Sequence, residues 1–203
     1  MHVARFTAIT WCLLTLAVAA PSAAQETGTP VFHAPYRSFE RYDFGASASF
    51  QRASQTGIEG YYRRGFGHLD LGLRAGWMIR NDAGDSFLIG LEGRHPVISE
   101  TTFPLRGALV TGIGLDLSGG ASVWVPVGLA LGRRLNVENS AVSLVPYIQP
   151  TGMITSVGST KAAFALGLGL DLRVSPAFEL RVSGSFGTSA APVGVAATVA
   201  WLR

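Results

Sequence analysis

At 203 residues the chain has the length of one domain, and its formal net charge of +3 is too small to be a footprint for nucleic acid. With 48% hydrophobic and 14% charged residues and a mean hydropathy of +0.31, it is more apolar than an ordinary soluble chain, in which about 25% of residues carry charge. Yet beyond residue 24 no uninterrupted apolar run approaches the ~20 residues of a spanning helix. Apolar residues are instead diluted one-for-one by Gly, Ser and charge.

The first segment reads as a secretory signal peptide. Arg5 supplies the positive start, Phe6 to Ala19 is apolar, and Pro21-Ser22-Ala23-Ala24 offers a small-residue cleavage site, so residues 1–24 are set apart from the fold. Cys12, the single cysteine, lies within it after Trp11, a poor lipoprotein context, and the mature chain is expected to hold no disulfide. Residues 25–37 mix Pro, Gly and Thr without a period and read as a flexible lead-in.

Residues 38–203 carry a strand period. Ten segments alternate large apolar with small or charged residues: 38–52, 57–65, 68–80, 86–97, 104–118, 121–134, 142–156, 161–174, 178–187 and 192–202. In FALGLGLDLRV, Phe164, Leu166, Leu168, Leu170 and Leu172 take one parity, and Ala165, Gly167, Gly169, Asp171 and Arg173 the other. Most segments reach the 9–11 residues that a tilted strand needs to cross a hydrocarbon core, whereas soluble strands have a mode of about 5–6. Pro146 and Pro150 interrupt the segment at 142–156, so irregular pairing is expected there. The separators are short, none exceeding about six residues, with Phe66-Gly67 and Ser175-Pro176-Ala177 among them.

The expected fold is therefore all-β: a closed antiparallel up-and-down transmembrane barrel of ten strands, with short turns on both sides. Eight strands is the alternative if 57–65 or 192–202 does not span. Aromatics fit two belts, Phe50, Trp77, Phe87, Phe164 and Phe186 near one end, and Phe39, Tyr42, Phe66, Phe103, Phe178 and Trp201 near the other.

At this point the chain resembles the outer-membrane β-barrel proteins of Gram-negative bacteria. The resemblance rests on the leader, the ten alternating segments and the last strand Val193-Gly194-Val195-Ala196-Ala197-Thr198-Val199-Ala200-Trp201. Tyr62-Arg63-Arg64-Gly65, Leu71-Gly72-Leu73-Arg74-Ala75-Gly76 and Leu129-Ala130-Leu131-Gly132-Arg133-Arg134 are similar to stretches of small uncharacterised members. Members often end on an aromatic residue, whereas here Leu202-Arg203 follows Trp201. The resemblance implies an outer-membrane location, contact with outer-membrane lipids and with the barrel-insertion machinery, and a monomer.

No catalytic, cofactor or metal site emerges from the residues. His33 lies in the lead-in, His68 near a rim, and His95 has the parity of the lipid side, so no Ser/His/carboxylate set assembles. Gly112-Ile113-Gly114 and Gly167-Leu168-Gly169 fall in mid-strand with no helix after them, which excludes a phosphate loop; facing inward, they would leave room in a narrow barrel. On this reading Gly169→Ser is a mild change. The function expected is structural or that of a narrow, porin-like passive pore. A lipid-modifying or proteolytic barrel enzyme is the alternative, and a secreted soluble barrel would need its apolar faces turned inward.

What remains is charge on the inward parity: Arg41, Asp43, Glu59, Arg63, Asp70, Arg74, Glu92, Arg94, Arg106, Asp171, Arg173, Glu179 and Arg181. A three-residue connection at 175–177 sets Arg173 opposite Glu179 and Asp171 opposite Arg181. A Phe66-Gly67 turn sets Arg63 opposite Asp70 and Glu59 opposite Arg74, and a register about Ser99 sets Glu92 opposite Arg106. The expected result is a lumen charge network that keeps conductance small, with wider openings when Asp171 and Glu179 are both replaced by Ala.

Overall fold

The computed structural model of the chain describes residues 27–36, 42–52, 54–81, 84–117, 122–156, 159–188 and 193–203. Ten long strands follow the alternating segments: β1 (Tyr42–Gln51), β2 (Gln55–Phe66), β3 (Leu69–Ile79), β4 (Ser86–Ile98), β5 (Arg106–Asp116), β6 (Ser122–Gly132), β8 (Ser143–Thr155), β9 (Lys161–Ser175), β10 (Phe178–Gly187) and β11 (Gly194–Leu202). The two-residue β7 (Leu135–Asn136) only extends the connection before β8.

All pairs are antiparallel neighbours, and the sheet closes on itself. β1 pairs β11 along its length, from Asp43 opposite Leu202 to Gln51 opposite Gly194. β6 pairs β8 across the gap that β7 leaves. Closure removes the exposed edges that an open sheet would present. It is a closed ten-stranded antiparallel barrel.

The alternation sorts the side chains as expected. Leu71, Leu73, Leu91, Leu109, Ile113, Val127, Ile148, Ile154, Leu168, Leu170, Val182 and Val195 all lie exposed on the outer surface, while their neighbours in sequence turn into the lumen. The apolar faces therefore point outward, opposite to what a soluble apolar-ligand barrel would need. Call the end that holds Tyr42 and Leu202 the near end, and the end that holds Gln51 and Gly194 the far end. At the near end Trp201 stacks on Phe44 and meets Phe178 edge-on, with ring centroids 5.8 and 5.9 Å apart. Trp77 and Phe87 meet at the far end. Phe39, assigned to the near belt, lies outside the described residues.

Two registers depart from the sequence reading. Phe66 pairs Leu69, so the β2–β3 turn is Gly67-His68, with Gly67 at φ +55°. A positive φ at the first central residue is what a two-residue hairpin loop of type II′ uses. The pairing thus shifts by two: Arg63 lies opposite Gly72 and Glu59 opposite Gly76. Glu92 lies opposite Gly112 rather than Arg106, because the ladder slips at Pro96–Ile98 and the connection that follows runs from 99 to 105. In β8 the prolines do less than expected. The β8–β9 register runs unbroken from Ser143 to Thr155, and β6–β8 keeps one register while the ladder skips 149 and 150, where Pro150 has no N–H to give. The connections at 99–105 and 133–142 also exceed six residues.

Candidate functional site

The lumen is not empty. Residues 27–36, read from sequence as part of a flexible lead-in, run through it as a non-strand segment with a turn and bends at 27–30 and a bend at Pro35, and Thr27 and Thr29 to Pro35 are buried. Pro30 and Pro35 lack the N–H that a ladder requires, and the segment carries no charge, so it neither joins the sheet nor needs a counterion. Gly28, at φ +71°, lies against the Trp124 ring near the far end. Tyr36 sits at the near end between Arg134 and Arg106, whose guanidinium carbons lie 4.4 and 5.4 Å from its ring centre.

The wall holds this segment by its main chain. The Ser183 hydroxyl donates to Pro30 O at 2.7 Å and accepts from Phe32 N at 3.2 Å. Arg74 donates to Val31 O at 3.2 Å. Arg94 reaches His33 O at 3.1 Å and Ala34 O at 2.9 Å, and Ala34 N donates to Asp171 Oδ2 at 3.1 Å. Side chains add to this: Thr29 Oγ1 donates to Glu59 at 2.8 Å. Arg181 Nη1 lies 2.8 Å from His33 Nδ1, and since arginine has no acceptor, His33 must accept there through an unprotonated Nδ1. At the near mouth the Tyr36 hydroxyl donates to Glu100 and accepts from Arg134 N. Burial and the Glu100 carboxylate raise that hydroxyl above its ordinary value, so it stays a donor at neutral pH.

Inward glycines shape the channel. A Cβ on Gly167 would stand 2.6 Å from the Phe32 ring, and one on Gly132 would stand 3.0 Å from Pro35. Phe32, Ala34, Val145, Tyr147 and Ala165 form the apolar cluster of the interior. The Tyr147 ring covers Gly169 so closely that a Cβ there would fall 2.1 Å from it. Gly169→Ser is therefore not mild. Overpacking should cost about 1–3 kcal/mol, whereas Gly60→Ala, outward with nothing nearer than 3.9 Å, should leave the urea midpoint unchanged.

The charged residues divide into linked groups. Arg181 is the hub: Nη2 reaches Asp43 at 2.9 Å, Nε lies 2.5 Å from Glu179 and 3.7 Å from Asp171, and Nη1 donates to Tyr61 at 2.7 Å. Asp43 also takes a two-pronged contact from Arg63 at 3.0 and 2.8 Å. Arg63 lies 3.9 Å from Glu92, which pairs with Arg94. Further along the lumen Arg74 pairs with Glu59 at 2.8 Å. Asp70 is buried opposite Arg94 in the ladder. Glu179 lies opposite Arg173 and Arg181 opposite Asp171 as expected, although Ser175 pairs Phe178, so the connection is Pro176-Ala177 and a register shift between Phe178 and Glu179 sets the pairs. Arg106 faces the Tyr36 ring, and Arg173 lies near Pro176 O at the rim. Arg41 lies outside the described residues. His68 and His95 meet at the outer near rim, with His95 Nδ1 2.9 Å from His68 O.

No family model matches the sequence, and no curated protein does. Solved structures do match. The β-domain of the Bordetella autotransporter BrkA aligns with a TM-score of 0.51 at 12% identity, over 79% of this chain and 96% of that one. The shared feature is the fold. A bacterial polysaccharide outer membrane secretin gives 0.49 at 10% identity over 80% of this chain, which spans 65% of that protein's length. The N-terminal β-barrel domain of Pseudomonas aeruginosa OprF gives 0.36 at 11% identity, over 80% of this chain and 97% of that one.

Sequence reasoning missed His33, Phe32, Tyr36, Tyr61, Ser183 and Trp124. The signal that could have found the segment is its composition. Between Glu26 and Arg37 lie ten uncharged residues with two prolines and three aromatic rings, counting His33, beside a barrel whose inward face is rich in glycine.

Proposed function

We propose that the chain is an integral outer-membrane β-barrel protein of a Gram-negative bacterium, exported through a cleaved leader, with a structural role and a lumen held shut by its own residues 27–36. The near end, with both chain termini of the barrel, faces the periplasm. The outward apolar surface and the aromatic rings at both ends support the membrane reading, since such a surface meets lipid rather than water. The threaded segment, with six hydrogen bonds to its main chain, carries the closed state. Contacts with outer-membrane lipids and insertion machinery belong to the same proposal, as does a monomeric state. The proposal includes no enzymatic role. Ser183 is committed to Pro30 and Phe32, His33 to Arg181, and His68 and His95 lie on the outer rim, so nothing among the described residues sets a nucleophile beside a free base.

The first test is fractionation followed by planar-bilayer recording. The protein should stay with the membrane through carbonate extraction, migrate differently on gels before and after heating, and show no steady conductance. Release into the soluble fraction would overturn the membrane reading. A large steady current from the wild type would overturn the closed lumen.

A further inference from the structure

The wall of the barrel is complete without the segment that fills it. The sheet closes through β1–β11 and β6–β8, and neither pairing uses residues 27–36. Among the described residues, no main-chain bond joins that segment to a strand. The arginines that grip it also have partners on the wall: Arg74 has Glu59, Arg94 has Glu92, and Arg181 has Asp43 and Glu179. Removing the segment would therefore break no ladder bond and strand no buried charge without a counterion. The segment stands to the wall as a ligand stands to a site.

Building on the closed-lumen reading, we infer that the lumen is a binding channel for the main chain of an uncharged peptide, that residues 27–36 are its resident ligand, and that a free peptide of that sequence can take their place. The recognition chemistry is that of a peptide site. Donors from Ser183, Arg74 and Arg94 meet carbonyls, while the Ser183 and Asp171 oxygens meet N–H groups. This reads a backbone in one register, and the slot that Gly167 leaves for the Phe32 ring supplies the side-chain selection. A charged peptide would enter poorly, because the wall charges already balance one another. The covalent link gives the resident segment an effective concentration of the order of mM, so an incoming peptide competes only when the resident one is weakened.

The test uses the full chain in planar bilayers, in three forms: wild type, Phe32→Ala, which weakens the ligand, and Ser183→Ala, which weakens the site while keeping its ion pairs. The probe is a synthetic peptide of residues 27–36, with a scrambled peptide of the same composition as control. Both variants should open to one repeated conductance level. The peptide should suppress the Phe32→Ala openings at a concentration at least ~10-fold below that of the scrambled control, a difference of about 1.4 kcal/mol. Block of Ser183→Ala should be roughly 5-fold weaker or more, as expected for the loss of a hydroxyl that makes two hydrogen bonds. Neither variant opening, or openings that the two peptides block equally, would overturn the binding channel while leaving the closed lumen intact. Steady conduction by the wild type would instead count against the closed lumen itself. Unchanged heat-modifiable migration of each variant ensures that the recordings concern a folded barrel.

Discussion

Asp43→Ala is expected to lower the unfolding free energy of the barrel by about 3–5 kcal/mol, the cost of removing one partner from a buried charge cluster. Asp43 has no exposed surface, and it accepts from two arginines, Arg63 through Nε and Nη2 and Arg181 through Nη2. Removing the carboxylate leaves Arg63 with the more distant Glu92, at 3.9 Å, and draws Arg181 towards Glu179 and Asp171. That second movement matters, because the other arm of Arg181 holds His33 and Tyr61. The variant should lose stability and loosen the threaded segment together. Asp43→Asn keeps the shape and one acceptor oxygen, so it should fall between the two. Urea midpoints in lipid vesicles measure the difference; equal midpoints for wild type and Asp43→Ala would mean that water in the lumen replaces the carboxylate without cost.

The barrel was legible in the sequence because lipid and lumen impose opposite demands on alternate residues, and ten segments obey them. The segment read at 57–65 lies within β2, and that read at 178–187 coincides with β10. Register was legible in part, and tightness of the turn does not decide where, since the connections at 67–68 and 176–177 both have two residues. Asp171 does lie opposite Arg181, although the connection is Pro176-Ala177 and not 175–177, because an irregularity between Phe178 and Glu179 restores the register, whereas Arg63 opposite Asp70 is off by two. A shift of two keeps every side chain on its own face, so hydrophobic pattern cannot detect it and turn geometry must decide. The charge pair survives the shift in altered form: Glu59 and Arg74 are no longer opposite, yet their long side chains still meet at 2.8 Å.

The threaded segment was not legible for a different reason. Thr27 to Tyr36 has no period, because its residues meet strands all round the barrel: Gly28 meets Trp124 of β6, Thr29 meets Glu59 of β2, Val31 meets Arg74 of β3 and Phe32 meets Gly167 of β9. Local pattern carries no information about such contacts, and Pro with Gly normally marks a loop. The same gap explains the error at Gly169. Gly169 faces inward as its parity requires, but the ring that fills the space above it belongs to Tyr147 on the neighbouring strand, which alternation alone does not reveal.

Leu168→Arg should destabilise the protein in lipid by roughly 2–4 kcal/mol, the cost of a cation at the bilayer midplane. Leu168 lies near the middle of β9, opposite Gly184 on one side and Ile148 on the other, and its side chain is exposed on the outer surface. Both cross-strand neighbours lack charge, so an arginine there has no partner and must either remain in hydrocarbon or snorkel along the barrel wall. In detergent, which admits water more readily, the penalty should shrink. The contrast between media separates this effect from a packing defect: Gly169→Ser acts within the lumen and should cost about the same in both. Equal losses for Leu168→Arg in vesicles and in detergent would show that residue 168 does not meet lipid, and the outward assignment of the whole even parity of β9 would fall with it.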